Sequence, residues 1–244
     1  MIRQFIAAIF LTTSAFALSE KELDSIGNRV WKNECGGTRE GLTSWNSGEA
    51  FASLGIGHFI WYPSGGSGPY EESFPGLVDY LFKAGVKIPI WLKSGMACPW
   101  RTKAEFEADA QSAKMKELRA MLAGSIREQS RFLAQRMERA LPKLLAATRD
   151  KSVEAKFKAL LTTGSGTYAL IDYVNFKGEG TNPKERYKGE GWGLLQVLEG
   201  MEGNTSKAFG ASAARVLTRR TENADPSRNE SKWLAGWLSR VRGY

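Results

Sequence analysis

One histidine and two cysteines in 244 residues leave little room for metal chemistry of the zinc kind. His58, Cys35 and Cys98 lie far apart along the chain and make a poor tetrahedral ligand set, so neither a metal nor a cofactor is implied. The chain also lacks a polybasic tail and any basic-aromatic repeat. Its Lys and Arg residues are spread along the middle with Glu interleaved, the pattern of solvated helix faces, so nucleic acid is not an expected partner. Long apolar runs are missing too. The one near the N-terminus, Phe5 to Leu11, is too short to span a bilayer comfortably, which argues against stable membrane insertion.

What is present is ordinary for a globular protein: 42% hydrophobic and 25% charged residues, enough to bury a core in one domain or in two lobes sharing a groove. Met1 to Gln4, the apolar run and the small residues Ala15 and Ala17 form the three parts of a secretory signal cut after Ala17. The alternative is an ordinary N-terminal helix or anchor. On the signal reading the mature chain is residues 18–244, periplasmic or secreted. The full chain carries a net charge of +8, which becomes 33 − 26 = +7 once Arg3 leaves with the signal. Charge alone suits any anionic partner, whether nucleic acid, anionic lipid or a bacterial wall, and only the spread of the basic residues speaks against the first. In an oxidising compartment Cys35 and Cys98 are expected to pair, closing a loop worth roughly 4 kcal/mol on the chain-entropy account.

Helix signals dominate the chain. Ser19 to Glu22 reads as a capping box, followed by Leu23, Ile26 and Val30 at helical spacing, with Glu34 on the same stripe and Gly36-Gly37 as the stop. Glu34 is therefore a carboxyl on an apolar face at a helix C-terminus, a setting suited to a proton donor. Two further capping boxes, Thr102 to Glu105 and Ser125 to Glu128, open a helical stretch over residues 102–162, in which Pro142 is expected to bend or end a helix. Near the C-terminus, Phe209, Ala213, Val216 and Leu217 stripe one helix. Asp225-Pro226 starts another carrying Trp233 and Trp237, both read as packing residues.

Between them, Leu42 to Trp45 and Phe51 to Phe59 read as two strands joined by the polar turn Asn46 to Glu49. The run Ser53-Leu54-Gly55-Ile56-Gly57-His58 resembles the active-site hairpin segment of phage-type lysozymes, where it follows a catalytic Glu at a helix end. The resemblance covers residues 19–59. It implies Glu34 as general acid, with Glu40 as a rival nearer the hairpin, and Ser53 in the place of a water-positioning Thr. The family's turn Asp falls nearest Asn46, an amide, which makes Glu49 the nearest second carboxylate.

The stretch from Tyr173 to Leu198 mixes aromatic, amide and charged groups with glycines. Within it, Gly193-Leu194-Leu195-Gln196-Val197 resembles a motif of lytic transglycosylases and goose-type lysozymes, in which the Gln begins a helix lining the glycan cleft. The two resemblances imply an α+β, mostly α-helical, lysozyme-like fold with a small β-hairpin. Its catalytic domain would be residues 18–244, with a helix-plus-hairpin lobe over 18–100 and a helical lobe over 101–244. They also imply a monomeric glycosidase acting on peptidoglycan or a related amino-sugar glycan. Glu34, Glu49 and Ser53 are the expected catalytic residues. Asn46, His58, Trp61, Tyr62, Tyr173, Asn175, Glu179, Tyr187 and Gln196 are the expected substrate contacts. Lytic transglycosylation, a preference for deacetylated glycan, and non-catalytic wall binding are the alternatives.

Overall fold

A computed structural model describes residues 18–68 and 70–244; the secretory-signal reading concerns residues 1–17 and lies outside the described residues. The chain is mostly helical, with about 58% helix and 6% strand, as its patterning predicts.

Helix α1 runs Glu20–Cys35. Its capping box forms as read: Ser19 Oγ accepts from the Glu22 amide, and Glu22 Oε2 accepts from the Ser19 amide at 2.8 Å. Gly36, at φ 62°, closes it in the left-handed conformation glycine favours. Leu23, Ile26 and Val30 are buried against helix α5, Ile126–Ala147. The helices meet closely at Gly27, where a Cβ would lie 2.2 Å from Ser130 Oγ.

A three-stranded antiparallel sheet follows, β1 Thr43–Ser44, β2 Ala52–Leu54 and β3 Phe59–Trp61, in that order. The sequence reads residues 51–59 as one strand, whereas the chain turns within it. Gly55 and His58 take φ of 68° and 48°, so Leu54 pairs with Phe59 across a tight turn. That turn is pinned from α5: Gln129 Oε1 accepts from the Ile56 amide at 2.9 Å, while its Nε2 donates to Leu122 O at 2.6 Å.

Helix α2 covers Phe74–Lys83, and two helices, α3 Lys103–Ala108 and α4 Ala113–Ala123, replace the single one expected after Thr102. Ser112 supplies the second start, accepting from the Met115 amide. Ser125 makes no cap; its hydroxyl donates to Met121 O. Pro142 sits inside α5 without ending it. Helices α6 Ser152–Leu161 and α7 Gly164–Lys177 lead to a ribbon, β4 Arg186–Tyr187 and β5 Glu190–Gly191. Helices α8 Leu194–Glu199, α9 Ser206–Asn223 and α10 Ser231–Val241 complete the fold. Asp225 caps only the short turn Pro226–Arg228, and α10 starts after it. Trp237 packs on the core as expected, but Trp233 does not: it is 56% exposed.

Cys35 and Cys98 are both buried and free, which overturns the expected disulfide. The sheet explains why. Cys35 Sγ donates to Gly55 O at the turn end of the β2–β3 hairpin, whereas Cys98 bridges to Pro63 past its open end, its amide donating to Tyr62 O. Four or five strand residues separate those ends, about 13 Å, and a disulfide needs Cα atoms within about 7 Å. Among the described residues no helix is long and apolar enough to cross a membrane.

Candidate functional site

The C-terminus of α1, the small sheet and the segment that follows α7 enclose a cleft of about 640 Å³. Glu34, Asn46, Glu49, Ser53, His58, Asn175 and Glu179 all line it, so seven of the residues singled out in the sequence converge on one space. The two walls touch at Gly57, where a Cβ would come within 3.1 Å of Asn175 Oδ1.

Glu34 is held from two sides. Arg240 of α10 donates through Nη2 to Glu34 Oε1 at 2.5 Å, and His58 Nδ1 lies 3.5 Å from Oε2. Arg240 is itself fixed by Asp172 of α7, through Nε to Oδ2 and Nη2 to Oδ1, each at 2.8 Å. Asp172 is fully buried and also accepts from Tyr244 Oη at 2.5 Å. Burial alone would make the Arg240 guanidinium easier to deprotonate. The Asp172 hydrogen bonds and the Glu34 charge more than offset that, and the group stays charged.

Glu49 sits differently, on the β1–β2 connection. Burial pushes its carboxyl above the usual range, against the opposing pull of hydrogen bonds from Asn46 and Ser53 and of the His58 ring. Asn46 Nδ2 donates to Glu49 Oε2 at 3.1 Å. His58 therefore stands near both carboxyls, with Nδ1 towards Glu34.

No protein-family model, curated protein or solved structure matches the chain. The chemistry of the cleft is read from its own residues.

Several expected substrate contacts lie elsewhere. Trp61 is 1% exposed and donates through Nε1 to Met96 O, its ring 4.7 Å from that of Phe74; it is core. Tyr62 is buried beneath the cleft lining, its ring 5.3 Å from that of Phe51 and its hydroxyl donating to Tyr70 O, and Tyr173 is buried with its hydroxyl donating to Trp192 O. Tyr187 donates to Glu230 Oε1 at 2.7 Å outside the cleft lining. Gln196 is a strut: its Oε1 accepts from the Gly193 amide and its Nε2 donates to Gly180 O. With the Leu194 and Leu195 amides donating to Gly178 O and Glu179 O, it sets the course of the loop that carries Glu179 into the cleft.

Asp172, Arg240, Gln129 and Lys177 were not singled out in the sequence. The signal for the first two was the one that marked Glu34, a charge inside an apolar helical stripe: Asp172 lies between Ile171 and Tyr173, and Arg240 between Trp237 and Val241. Lys177 ends α7 in the cleft, its Nζ 3.5 Å from the Trp237 ring centroid and 4.0 Å from that of Phe176. Burial, reinforced by Arg220 and Arg240, pulls its amine down to about 6.

Proposed function

We propose that the chain is an exported, monomeric glycoside hydrolase of the lysozyme-like superfamily that cuts peptidoglycan glycan strands, with Glu34 as general acid. One observation carries the reading: a carboxyl at the end of α1 shares a single cleft with the hairpin residues Ser53 and His58 and with the segment after α7. The glycosidic oxygen meets Glu34 at Oε2, the oxygen that Arg240 leaves free. Glu49, bonded to Ser53 and Asn46, then activates a water or steadies the developing sugar cation. The mature chain's net charge of 33 − 26 = +7, without Arg3 of the signal, concentrates the enzyme on an anionic wall, in the periplasm or outside the cell.

A second reading exchanges the roles. Glu49 is the carboxyl that burial holds above its usual range, which suits it to carry the proton, and Glu34 then faces the cationic transition state. Deacetylated glycan is less favoured. Five carboxyl groups line the cleft, Glu34, Glu49, Glu71, Glu179 and Glu185, but so do four cations, Arg136, Arg139, Lys143 and Arg220, and the Lys177 amine, a poor match for a polycation.

Release of soluble fragments from labelled peptidoglycan by native protein, E34Q and E49Q tests this. A fall of about a thousandfold in E34Q with an unaltered unfolding curve supports Glu34 as the donor; a larger loss in E49Q transfers the role to Glu49. Anhydro ends in the products would mean transglycosylation. Wall binding with no bond cleaved by native protein would replace the enzyme with a binding protein.

A further inference from the structure

Beside Glu34 runs a stack of basic side chains and aromatic rings drawn from three helices and one loop, of which Phe176, Lys177, Trp192 and Arg220 line the cleft while Trp237 and Arg240 lie behind that lining. Arg240 Cζ lies 4.1 Å from the Phe176 ring centroid, and Lys177 sits between Phe176 and Trp237. Arg220 Cζ follows, 5.0 Å from Trp237 and 4.2 Å from Trp192. Two of the three basic groups are paired within the chain. Arg240 is paired to Glu34 and Asp172, and Arg220 donates to both oxygens of Glu230, at 2.7 and 3.0 Å. Lys177 makes neither an ion pair nor a hydrogen bond among the described residues; its polar end meets only ring faces and the cleft.

Such a placement is costly in the free protein. An amine is taken from water and set near two guanidiniums, while Glu230 of α10's leading turn and Glu34 of α1, the carboxylates closest in effect, are committed to those guanidiniums. An anion entering from the cleft would remove the conflict. One unpaired amine calls for a monoanion, and Phe176 and Trp192 supply apolar lining beside it for the ring that carries the anion.

We propose that Lys177 anchors a carboxylate subsite of the cleft, so that the preferred ligand is a glycan bearing an acidic substituent rather than a neutral one. The inference rests on the glycan reading above and adds the residue that selects the acidic sugar. The low position of the free amine, about 6, gives the subsite a pH signature. Near neutral pH the empty site holds mostly the uncharged amine, and a bound carboxylate favours the ammonium. Ligand binding therefore takes up a proton from solvent, and affinity falls as pH rises above about 6.

Calorimetric titration with two disaccharides tests this, one carrying the lactyl carboxylate of N-acetylmuramic acid and the other its neutral N-acetylglucosamine counterpart. The acidic disaccharide should bind native protein about tenfold more tightly near pH 6 than near pH 8, with proton uptake, while the neutral one is insensitive to pH. Lys177→Met, which keeps the stem against Trp237, should lose both the preference and the proton uptake. Equal binding of the two sugars, or a preference that survives in K177M, overturns the subsite. If neither disaccharide binds, the glycan reading fails, and lactate alone decides the subsite through acetylation of Lys177 by acetic anhydride, read by mass spectrometry. Lactate should lower labelling near neutral pH several-fold; unchanged labelling overturns the proposal.

Discussion

The two walls of the cleft carry their short motifs to opposite ends. In the hairpin wall the motif residues reach the cleft themselves: Ser53 and His58 line it, and the glycines between them make the turn that brings His58 to Glu34. In the downstream wall the motif residues are scaffolding. Gly193 and Gln196 are buried, and the groups that face the cleft, Lys177 and Glu179, stand outside the motif. A motif can thus mark a place by holding it in shape as well as by acting there.

The buried charges behind the downstream wall should give the largest response. Asp172→Asn leaves Arg240 with a weaker partner and Tyr244 with a poorer acceptor in a fully buried setting. Loss of one member of such a group costs about 3–5 kcal/mol, so the urea midpoint should fall sharply. Glycan cleavage by the fraction still folded should fall as well, because Arg240 no longer fixes Glu34. A neutral effect on stability would mean that the charges shape the site without holding the fold.

Next in size is the backbone contact within that wall. A Cβ on Gly193 would lie 2.2 Å from the Gly180 amide nitrogen, and backbone cannot swing aside as a side chain would. Gly193→Ala should cost about 1–3 kcal/mol and displace Glu179 from the cleft, raising KM for the glycan. The hairpin offers the matching test at Gln129. Gln129→Leu strands the Ile56 amide, while Leu122 O keeps the Ser125 amide as donor, a loss of about 1–3 kcal/mol. Faster hydrogen exchange at Ile56 should accompany it. If Q129L spares cleavage while G193A abolishes it, the hairpin holds its chemistry without support from α5, and only the downstream wall depends on its scaffold.

The sequence made one class of feature legible and hid another. Local chemistry was readable: Ser19 to Glu22 capped α1, Gly36 ended it, and Glu34 stood out as a charge on an apolar stripe. Partners distant in the chain were not. Nothing near Glu34 announces Arg240, because their contact depends on α10 returning to α1 across the whole fold. Aromatic residues were the other failure. Trp61 and Tyr173 carry the size and the polar edge expected of sugar contacts, but each spends that edge on a backbone carbonyl in the core, and only the tertiary packing reveals it. The convergence of the two separated stretches on one cleft was legible only through their shared composition.

The smallest expected effect concerns the two cysteines, and it bears on the rigidity of the hairpin wall. With Cys35 against the turn of the hairpin and Cys98 beyond its open end, no covalent tie spans the sheet. A reductant should therefore leave the unfolding curve unchanged, whereas loss of a disulfide over that loop would lower stability by roughly 4 kcal/mol. Burial pushes both thiols up to about 12, with Glu34 adding to the effect at Cys35, so the thiolate needed for attack is scarce at neutral pH. A thiol reagent should report about two reactive groups after denaturation and almost none before it. Reaction in the native state at Cys35 alone would show the turn at Gly55 opening. The hairpin wall, and not the downstream one, would then be the wall that moves.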